Sequence, residues 1–514
     1  MNLGNAYRNR VAGDRAANVE KAVACYERAL EVWTREGAPL DWARTQMNLG
    51  IAYRNRVARD RTANVEKAVA CYERALVVWT REGAPLDWAR TQVNMGTAYS
   101  DRVAGDRAAN VEKAVACYER ALVVWTREGA PLEWAATQMN LGTAYRNRVA
   151  GDRAANVEKA VACYERALVV WTREGAPLDW AMTQMNLGIA YRNRVARDRT
   201  ANVEKAVACY ERALEVWTRE GAPLDWARTQ VNMGAAYSDR VAGGRAANVE
   251  KAVACYERAL EVWTREGAPL EWAATQMNLG NAYSDRVAGD RAANVEKAVA
   301  CYERTLEVRT REGAPLEWAA TQMNLGIAYS DRVAVDRAAN VEKAVACYER
   351  TLEVRTREGA PLEWAATQMN LGIAYSDRVA GDRAANVEKA VACYERALVV
   401  WTREGAPLDW AMTQMNLGNA YSNRVAGDRA ANVEKAVACY ERALEVRTRE
   451  GAPLKWALTS YNLSLAFEDA GQAARALAMA RSVQESGLFE QAAPGRGGQI
   501  EVLVARLQAQ VAEP

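Results

Sequence analysis

The chain repeats itself every 46 residues. MNLG begins at Met1 and again at Met47, VNMG follows at Val93, MNLG returns at Met139 and Met185, and the register runs on through Met415 to Tyr461. A fixed period between about 20 and 50 residues marks stacked supersecondary units that share one continuous core, not a string of globular domains. Ten units fill 1–460, the first lacking the N-terminal half of its leading helix. A divergent unit over 461–494 and a linker with a C-terminal capping helix over 495–514 complete the expected organisation.

Each unit reads as two helices. Leu40 to Ala58 places Ala43, Met47, Gly50, Tyr53 and Val57 at helical spacing, with Trp42 and Leu49 widening the stripe. Pro39 suits the start of this helix A, and Asp41 favours the positive end of its dipole. Helix B spans about Val19 to Glu36, where Val19, Ala22, Val23, Tyr26, Ala29, Leu30 and Trp33 share a face that no strand could assemble. Asn18 is the expected N-cap, and Gly37 with Pro39 ends the helix. Gly50 and its equivalents allow close helix approach. No segment alternates like a strand. The expected fold is all-α, a right-handed superhelical solenoid of antiparallel helix pairs.

Composition removes several chemistries. Without histidine there is no imidazole base, ligand or near-neutral switch. A net charge of +2 is no footprint for wholesale nucleic-acid or membrane binding. Apolar runs are too short to span a bilayer, and MNLGNAYRNR lacks the apolar core of a secretory signal. Ten cysteines, one per VACYER from Cys25 and Cys71 to Cys393 and Cys439, are read as a column of free, half-buried thiols. Neighbouring helices stand roughly 8–10 Å apart, farther than the ~7 Å that a disulfide tolerates between Cα atoms. A reducing, cytoplasmic setting follows. No nucleophile–base pair, phosphate loop or metal cluster appears, so no enzyme activity and no cofactor is expected.

Leu49-Gly50 with Tyr53 on helix A, then Ala68, Tyr72 and Ala75 on helix B, resembles the tetratricopeptide repeat (TPR) signature. The context WARTQMNLGIAY…EKAVACYERALVVW is most similar to the long repeats of kinesin light chain and to TPR arrays of bacterial proteins carrying CHAT-type modules. The likeness covers about 1–487. The period departs from the usual ~34, because the A-to-B link is longer by about six residues. In the tail the ordinary TPR spacing returns from Phe467 to Ala476, and Ser464 and Phe467 replace the Gly and Tyr of the other copies.

In the TPR family the side of helix A opposite the core faces a concave groove that holds extended peptides, and here registers 44, 48, 51 and 55 fall on it. Register 44 carries Arg44, Arg90 and Arg228 among Ala and Met; register 51 varies among Ile, Thr, Ala and Asn. Registers 54 and 55 change from Arg-Asn, with Arg54, Arg146 and Arg192, to Ser-Asp, with Asp239, Asp285, Asp331 and Asp377. The groove is therefore expected to be more basic towards its N-terminal half and more acidic towards the other, through selection or through drift of an exposed face. Within this variable stripe one residue type persists: Asn48, Asn94, Asn140, Asn186, Asn232, Asn278, Asn324, Asn370 and Asn416. An amide donates and accepts, so such a ladder suits the backbone of an extended peptide, the role that the resemblance implies. The alternatives are copies too recent to diverge, or asparagines that tie neighbouring helices together. Trp33 gives way to Arg309, Arg355 and Arg447, which reads as a partly exposed packing position.

The function expected is a protein-interaction scaffold holding a peptide or partner segment along helix A. The alternatives are a spacer or self-assembling rod, associating through an uncapped N-terminal end, and a regulatory arm of a larger protein whose effector domain precedes Met1. RNA reading is disfavoured by the Ser-Asp half, and neither a nucleic acid nor a membrane is an expected partner.

Overall fold

The computed structural model describes residues 1–10, 14–56, 60–194, 198–332 and 336–512. It divides into two compact units, Met1–Val262 and Trp263–Pro514. Among the described residues every regular element is an α-helix. The first unit contains α1 (Asn2–Asn9), α2 (Arg15–Val32), α3 (Pro39–Arg54), α4 (Arg61–Val78), α5 (Pro85–Asp101), α6 (Arg107–Ala121), α7 (Pro131–Asn147), α8 (Arg153–Val170), α9 (Pro177–Asn193), α10 (Arg199–Leu214), α11 (Pro223–Asp239) and α12 (Arg245–Leu260). The second contains α13 (Pro269–Asp285), α14 (Arg291–Leu306), α15 (Pro315–Asp331), α16 (Arg337–Leu352), α17 (Pro361–Asp377), α18 (Arg383–Val400), α19 (Pro407–Asn423), α20 (Arg429–Leu444), α21 (Pro453–Asp469), α22 (Ala473–Ser486), α23 (Phe489–Ala492) and α24 (Gly497–Ala512). Odd numbers up to α21 are A helices and even numbers up to α22 are B helices.

The two helices of a pair run antiparallel. Lys113, early in α6, lies 5.4 Å from the ring of Tyr99, late in α5. Ala89, early in α5, shares a buried cluster with Ala121 and Trp125 at the far end of α6. Within each unit a B helix packs on its own A helix and on the A helix that follows, so each stripe is covered from two sides. Gly50 and its counterparts Gly280, Gly326 and Gly372 allow a close approach to a tyrosine ring. A Cβ at Gly50 would lie 2.6 Å from Tyr72 Cε1, nearer than real contacts allow.

Three sequence expectations are corrected by the helix ends. Helix B starts four residues earlier than Val19, at Arg15, and its N-cap is Asp14, whose Oδ1 accepts from Ala16 N at 2.9 Å. The asparagine expected as the cap folds the preceding link instead: Asn110 Nδ2 donates to Ala104 O at 2.9 Å. Helix A stops short of the valine expected on its core stripe. Val57 lies outside the described residues, but its counterparts Val103 and Val149 are 74% exposed. The reason is local, since Arg102 already leaves the helix with φ −72° and ψ 122°. At the other turn Thr34 Oγ1 accepts from Gly37 N at 3.0 Å, so helix B ends at Val32 and not at Glu36.

The tryptophan register is a further correction. Trp33 is half-buried, but Trp79 and Trp217 are 1% exposed; Trp79, the residue after α4, turns extended, and Trp125 in the same register packs in a cluster with Trp88 of α5 and Trp134 of α7. Packing accounts for this position. Arg447, in the same register, is buried too, donating to Thr459 Oγ1 at 3.2 Å, and desolvation lowers its pKa. The thiols are more deeply placed than expected: all are free, and all but Cys25 are buried. Burial pushes the Cys71 thiol up to about 11.

At the C-terminal end α24 packs on α22 and buries Ile500, Leu503, Val504 and Leu507. Its first residue, Gly497, lies inside the glycine run that the sequence suggests is linker. Among the described residues no helix is long and apolar enough to cross a membrane.

Candidate binding groove

Helix A is held on its core side and bare on the other. Ala43, Gln46, Gly50 and Tyr53 are buried, while Arg44 and Asn55 are exposed and Ile51 lies between. Registers 44, 51 and 55 thus lie away from the core as expected, but Asn48 of the same stripe is buried, and the helix ends at Arg54. In the second unit this bare side carries small clefts. One of about 190 Å³ is framed by Ser376, Tyr394 and Asn416, and another of about 350 Å³ by Ser284, Tyr302 and Asn324.

The stripe asparagines are not equivalent. Asn48 is buried and accepts from Arg8 Nη1 at 3.0 Å; Asn186 accepts from Arg146 Nη1 at 3.3 Å. Asn324 Nδ2 donates to Asn281 at 2.9 Å, and Asn462 Nδ2 to Asn419 at 3.1 Å. These four tie one A helix to the A helix before it. Asn94, Asn140 and Asn232 in the first unit, and Asn278, Asn370 and Asn416 in the second, are half-buried and have no side-chain partner among the described residues. The reading in which asparagines tie neighbouring helices together thus holds for four copies, and the other six amides are left unpaired among the described residues.

The charged candidates are largely committed to neighbours. Arg44 and Arg90 stand 3.7 and 3.8 Å from Asp41 and Asp87 of their own helices, and Arg228 pairs with Asp225. Arg54 is half-buried. Arg192 reaches Asp239 at 2.8 Å. Arg291 reaches Asp331 at 3.0 Å and Arg337 reaches Asp377 at 3.1 Å; Asp285 is engaged as well. The Ser-Asp half of the stripe is accordingly not a bare acidic surface, because an arginine opening each helix B neutralises it.

Beneath the stripe lies a tyrosine column. Tyr164 OH is 3.0 Å from Thr143 Oγ1, Tyr302 OH donates to Asn281 Oδ1 at 2.9 Å, and Tyr394 OH is 3.4 Å from Ser376 Oγ. Where register 51 is Ile and register 54 is Arg, at Ile51-Arg54 and Ile189-Arg192, the hydroxyls of Tyr72 and Tyr210 are buried without a partner. Part of the variation along the stripe thus follows which neighbour satisfies the tyrosine. Burial raises the pKa of these phenols, Tyr302 to about 12.

Sequence reasoning missed the clamp that joins consecutive repeats. Arg102 grips Glu66 through Nε at 2.5 Å and Nη2 at 2.7 Å, and Arg148, Arg240, Arg378 and Arg424 repeat the fork with Glu112, Glu204, Glu342 and Glu388. Such bidentate pairs fix orientation as well as distance. The only signal is an invariant Glu and Arg that stand 36 residues apart. Tyr191 OH donates to Glu165 at 2.6 Å with Lys205 Nζ 5.3 Å from its ring, lining a cleft of about 360 Å³ on the B-helix side.

A family model described as Sel1 repeat matches residues 1–31, 43–76, 89–122, 135–168, 181–215, 227–261, 273–307, 319–353, 365–398 and 411–445. No curated protein matches the chain. Among solved structures, the C-terminal part of a TPR repeat-containing protein from Cytophaga hutchinsonii is 15% identical, with 60% of this chain and 94% of that one covered at a TM-score of 0.36. The apo form of RapI is 13% identical, with 82% and 98% covered at 0.45. BtubC (BKLC) from P. vanneervenii is 23% identical, with 48% and 89% covered at 0.36.

Proposed function

The chain belongs to the Sel1 repeat family and is a TPR-like array of helix pairs, and from that premise we propose that it is a non-enzymatic protein-interaction scaffold whose A-helix face holds an extended peptide or partner segment. The observation that carries this reading is the set of unpartnered amides at Asn94, Asn140, Asn232, Asn278, Asn370 and Asn416. Each offers a donor and an acceptor on a half-buried surface, the combination that pairs with peptide backbone without reading its side chains. The engaged copies, Asn48, Asn186, Asn324 and Asn462, hold neighbouring A helices together around them.

The test is selection of peptides from a displayed random library on the full chain, followed by anisotropy titration of the selected sequences. Asn94→Ala, Asn140→Ala and Asn232→Ala combined should weaken binding by roughly 10- to 100-fold, the effect of removing several net hydrogen bonds, with helicity unchanged. Undiminished affinity in the triple variant removes the amide groove.

A further inference from the structure

Clefts on the B-helix side recur at equivalent registers in the second unit. One of about 410 Å³ has α19 as its floor between α18 and α20, and one of about 590 Å³ has α21 between α20 and α22. Leu398, Trp410 and Leu417 line the first, and Leu444, Trp456 and Leu463, each 46 residues on, line the second. Of the polar groups only the glutamate is kept, as Glu395 and Glu441. Tyr421 gives way to Phe467, Lys435 to Arg475, Cys439 to Met479 and Arg442 to Ser482. Ser460, fully buried, stands in the register of Gln414. Shorter side chains at the Gln414 and Arg442 registers, and the missing phenol hydroxyl, leave the larger space. The departures of the last repeat thus meet in one cleft.

The cleft is apolar and electrically closed. Leu463 and Phe467 are buried in its floor, and Leu444, Trp456 and Met479 are half-buried around them. Its two charged residues are spent on each other: Arg475 Nη2 reaches Glu441 Oε1 at 2.8 Å. The same guanidinium donates to Gln472 Oε1 at 2.7 Å and stands 4.1 Å from the centre of the Phe467 ring. That leaves the Ser482 hydroxyl as the polar group facing an occupant. In the preceding cleft Arg442 has no ion-pair partner among the described residues. Met479 adds a flexible, polarisable side chain that adapts to the shape of what it touches. A concave site of about 300–1,000 Å³ with apolar and aromatic walls and a few polar groups is the usual form of a small-molecule pocket.

We propose that the cleft between α20 and α22 binds an uncharged, largely apolar small molecule, with Ser482 as its hydrogen-bonding group. Neither a cation nor an anion finds a free counter-charge there, because Glu441 and Arg475 hold each other, and burying an unpaired ion is costly. An amphipathic partner helix needs anchors repeated over several turns. Here the apolar lining is confined to one cleft: Lys435 and Arg442 border the one before it, and α22 packs on α24 and not on a further A helix. The site lies on the B-helix side and is independent of the peptide groove.

The experiment titrates the full chain with N-phenyl-1-naphthylamine, an uncharged apolar dye whose emission rises when it leaves water. The dye should bind at about one molecule per chain. In protein with isotope-labelled methionine methyl groups, the Met479 resonance, identified by its loss in Met479→Leu, should shift until the site is full. Phe467→Tyr, Met479→Cys and Ser482→Arg combined restore the side chains of the preceding cleft. That variant should bind roughly tenfold or more weakly with helicity unchanged, the equivalent of losing the burial of about two methylene groups. Octanol should displace the dye, with octanoate and octylammonium each roughly tenfold or more less effective. Absence of dye binding, many dyes per chain, an unmoved Met479 resonance or indifference to the triple variant each overturns the proposal. So does stronger displacement by either ion, which would make the ligand charged, or displacement by the library-selected peptides, which would make the cleft a peptide site. The asparagine groove is tested separately, by the alanine variant at Asn94, Asn140 and Asn232.

Discussion

Gly372→Ala sets two effects of opposite sign against each other in α17. Helix propensity alone favours alanine by about 1 kcal/mol. The new Cβ, however, would lie 2.6 Å from Tyr394 Cε1 and 2.9 Å from Cδ1 and Cζ. That ring is only 2% exposed, with its hydroxyl 3.4 Å from Ser376 Oγ, so it has no free direction in which to retreat. Overpacking of this kind costs about 1–3 kcal/mol, and the net expectation is a loss of about 1–2 kcal/mol. The tail supports the steric reading. Ser464 occupies the glycine register there, and with the link six residues shorter the buried Ala480 takes the place of the tyrosine. Because stacked repeats open locally, the assay is hydrogen exchange followed by mass spectrometry. Peptides from α17 and α18 should exchange roughly tenfold faster, and those from the first unit should be unchanged. In the double variant Gly372→Ala with Tyr394→Ala the two losses should fall short of additive by about 1–2 kcal/mol. Slower exchange in α17 from Gly372→Ala alone would refute the argument, because propensity would then have outweighed the contact.

Other expectations follow from the same geometry. Ile189→Thr gives the partnerless Tyr210 hydroxyl the neighbour that Thr143 gives Tyr164, and should slow local exchange by an amount worth about 1 kcal/mol. Gly244 starts α12 at φ 84° without a side-chain cap, whereas Asp106 takes φ −73° and accepts from Ala108 N at 2.9 Å; Gly244→Asp should draw the link into the Asp106 conformation and stabilise α12 by about 1 kcal/mol in the same measurement. Native protein treated with a thiol reagent near pH 8 should be labelled at the partly exposed Cys25, with the remaining nine thiols reacting only after denaturation, because burial holds groups such as Cys117 near 11. The Arg148 and Arg378 forks hold Glu112 and Glu342 below their ordinary value of 4.5. A carboxylate depressed in the folded state stabilises it above the unfolded pKa, and that contribution is lost as pH falls through the folded pKa. Thermal scans from pH 6 to pH 3 should therefore show Tm falling only in the acid range, and less steeply in a Glu342→Gln variant, whose Tm at pH 6 is already lower.

Much of the architecture was legible because the repeat presents the same pattern many times over. Helix pairing, the buried face of helix A and the bare stripe all follow from period and spacing. The failures sit at helix ends. Asn18 and Asp14 are both competent caps, and only the backbone of the link decides that the aspartate caps while the asparagine bonds the link carbonyls. Val57 continues the helical spacing, but the helix has already ended in the copies where that register is described, so Val103 is left in solvent. Arginine at Trp33 positions suggests exposure, yet Arg447 shows that the same pocket takes a buried guanidinium. In the candidate groove the residue types were visible. Which asparagines remain available was not, because it depends on neighbours 40 or 43 residues away, such as Arg8 for Asn48 and Asn281 for Asn324.

The central claim is that partners are held on the A-helix side. It is tested most directly by placing a photoreactive benzoylphenylalanine at Asn147 on that side, and separately at Arg212 in the B-helix cleft, then irradiating with a bound library-selected peptide. Cross-linking from position 147, with little from position 212, is the predicted result. Cross-linking from 212 with none from 147 would contradict the account.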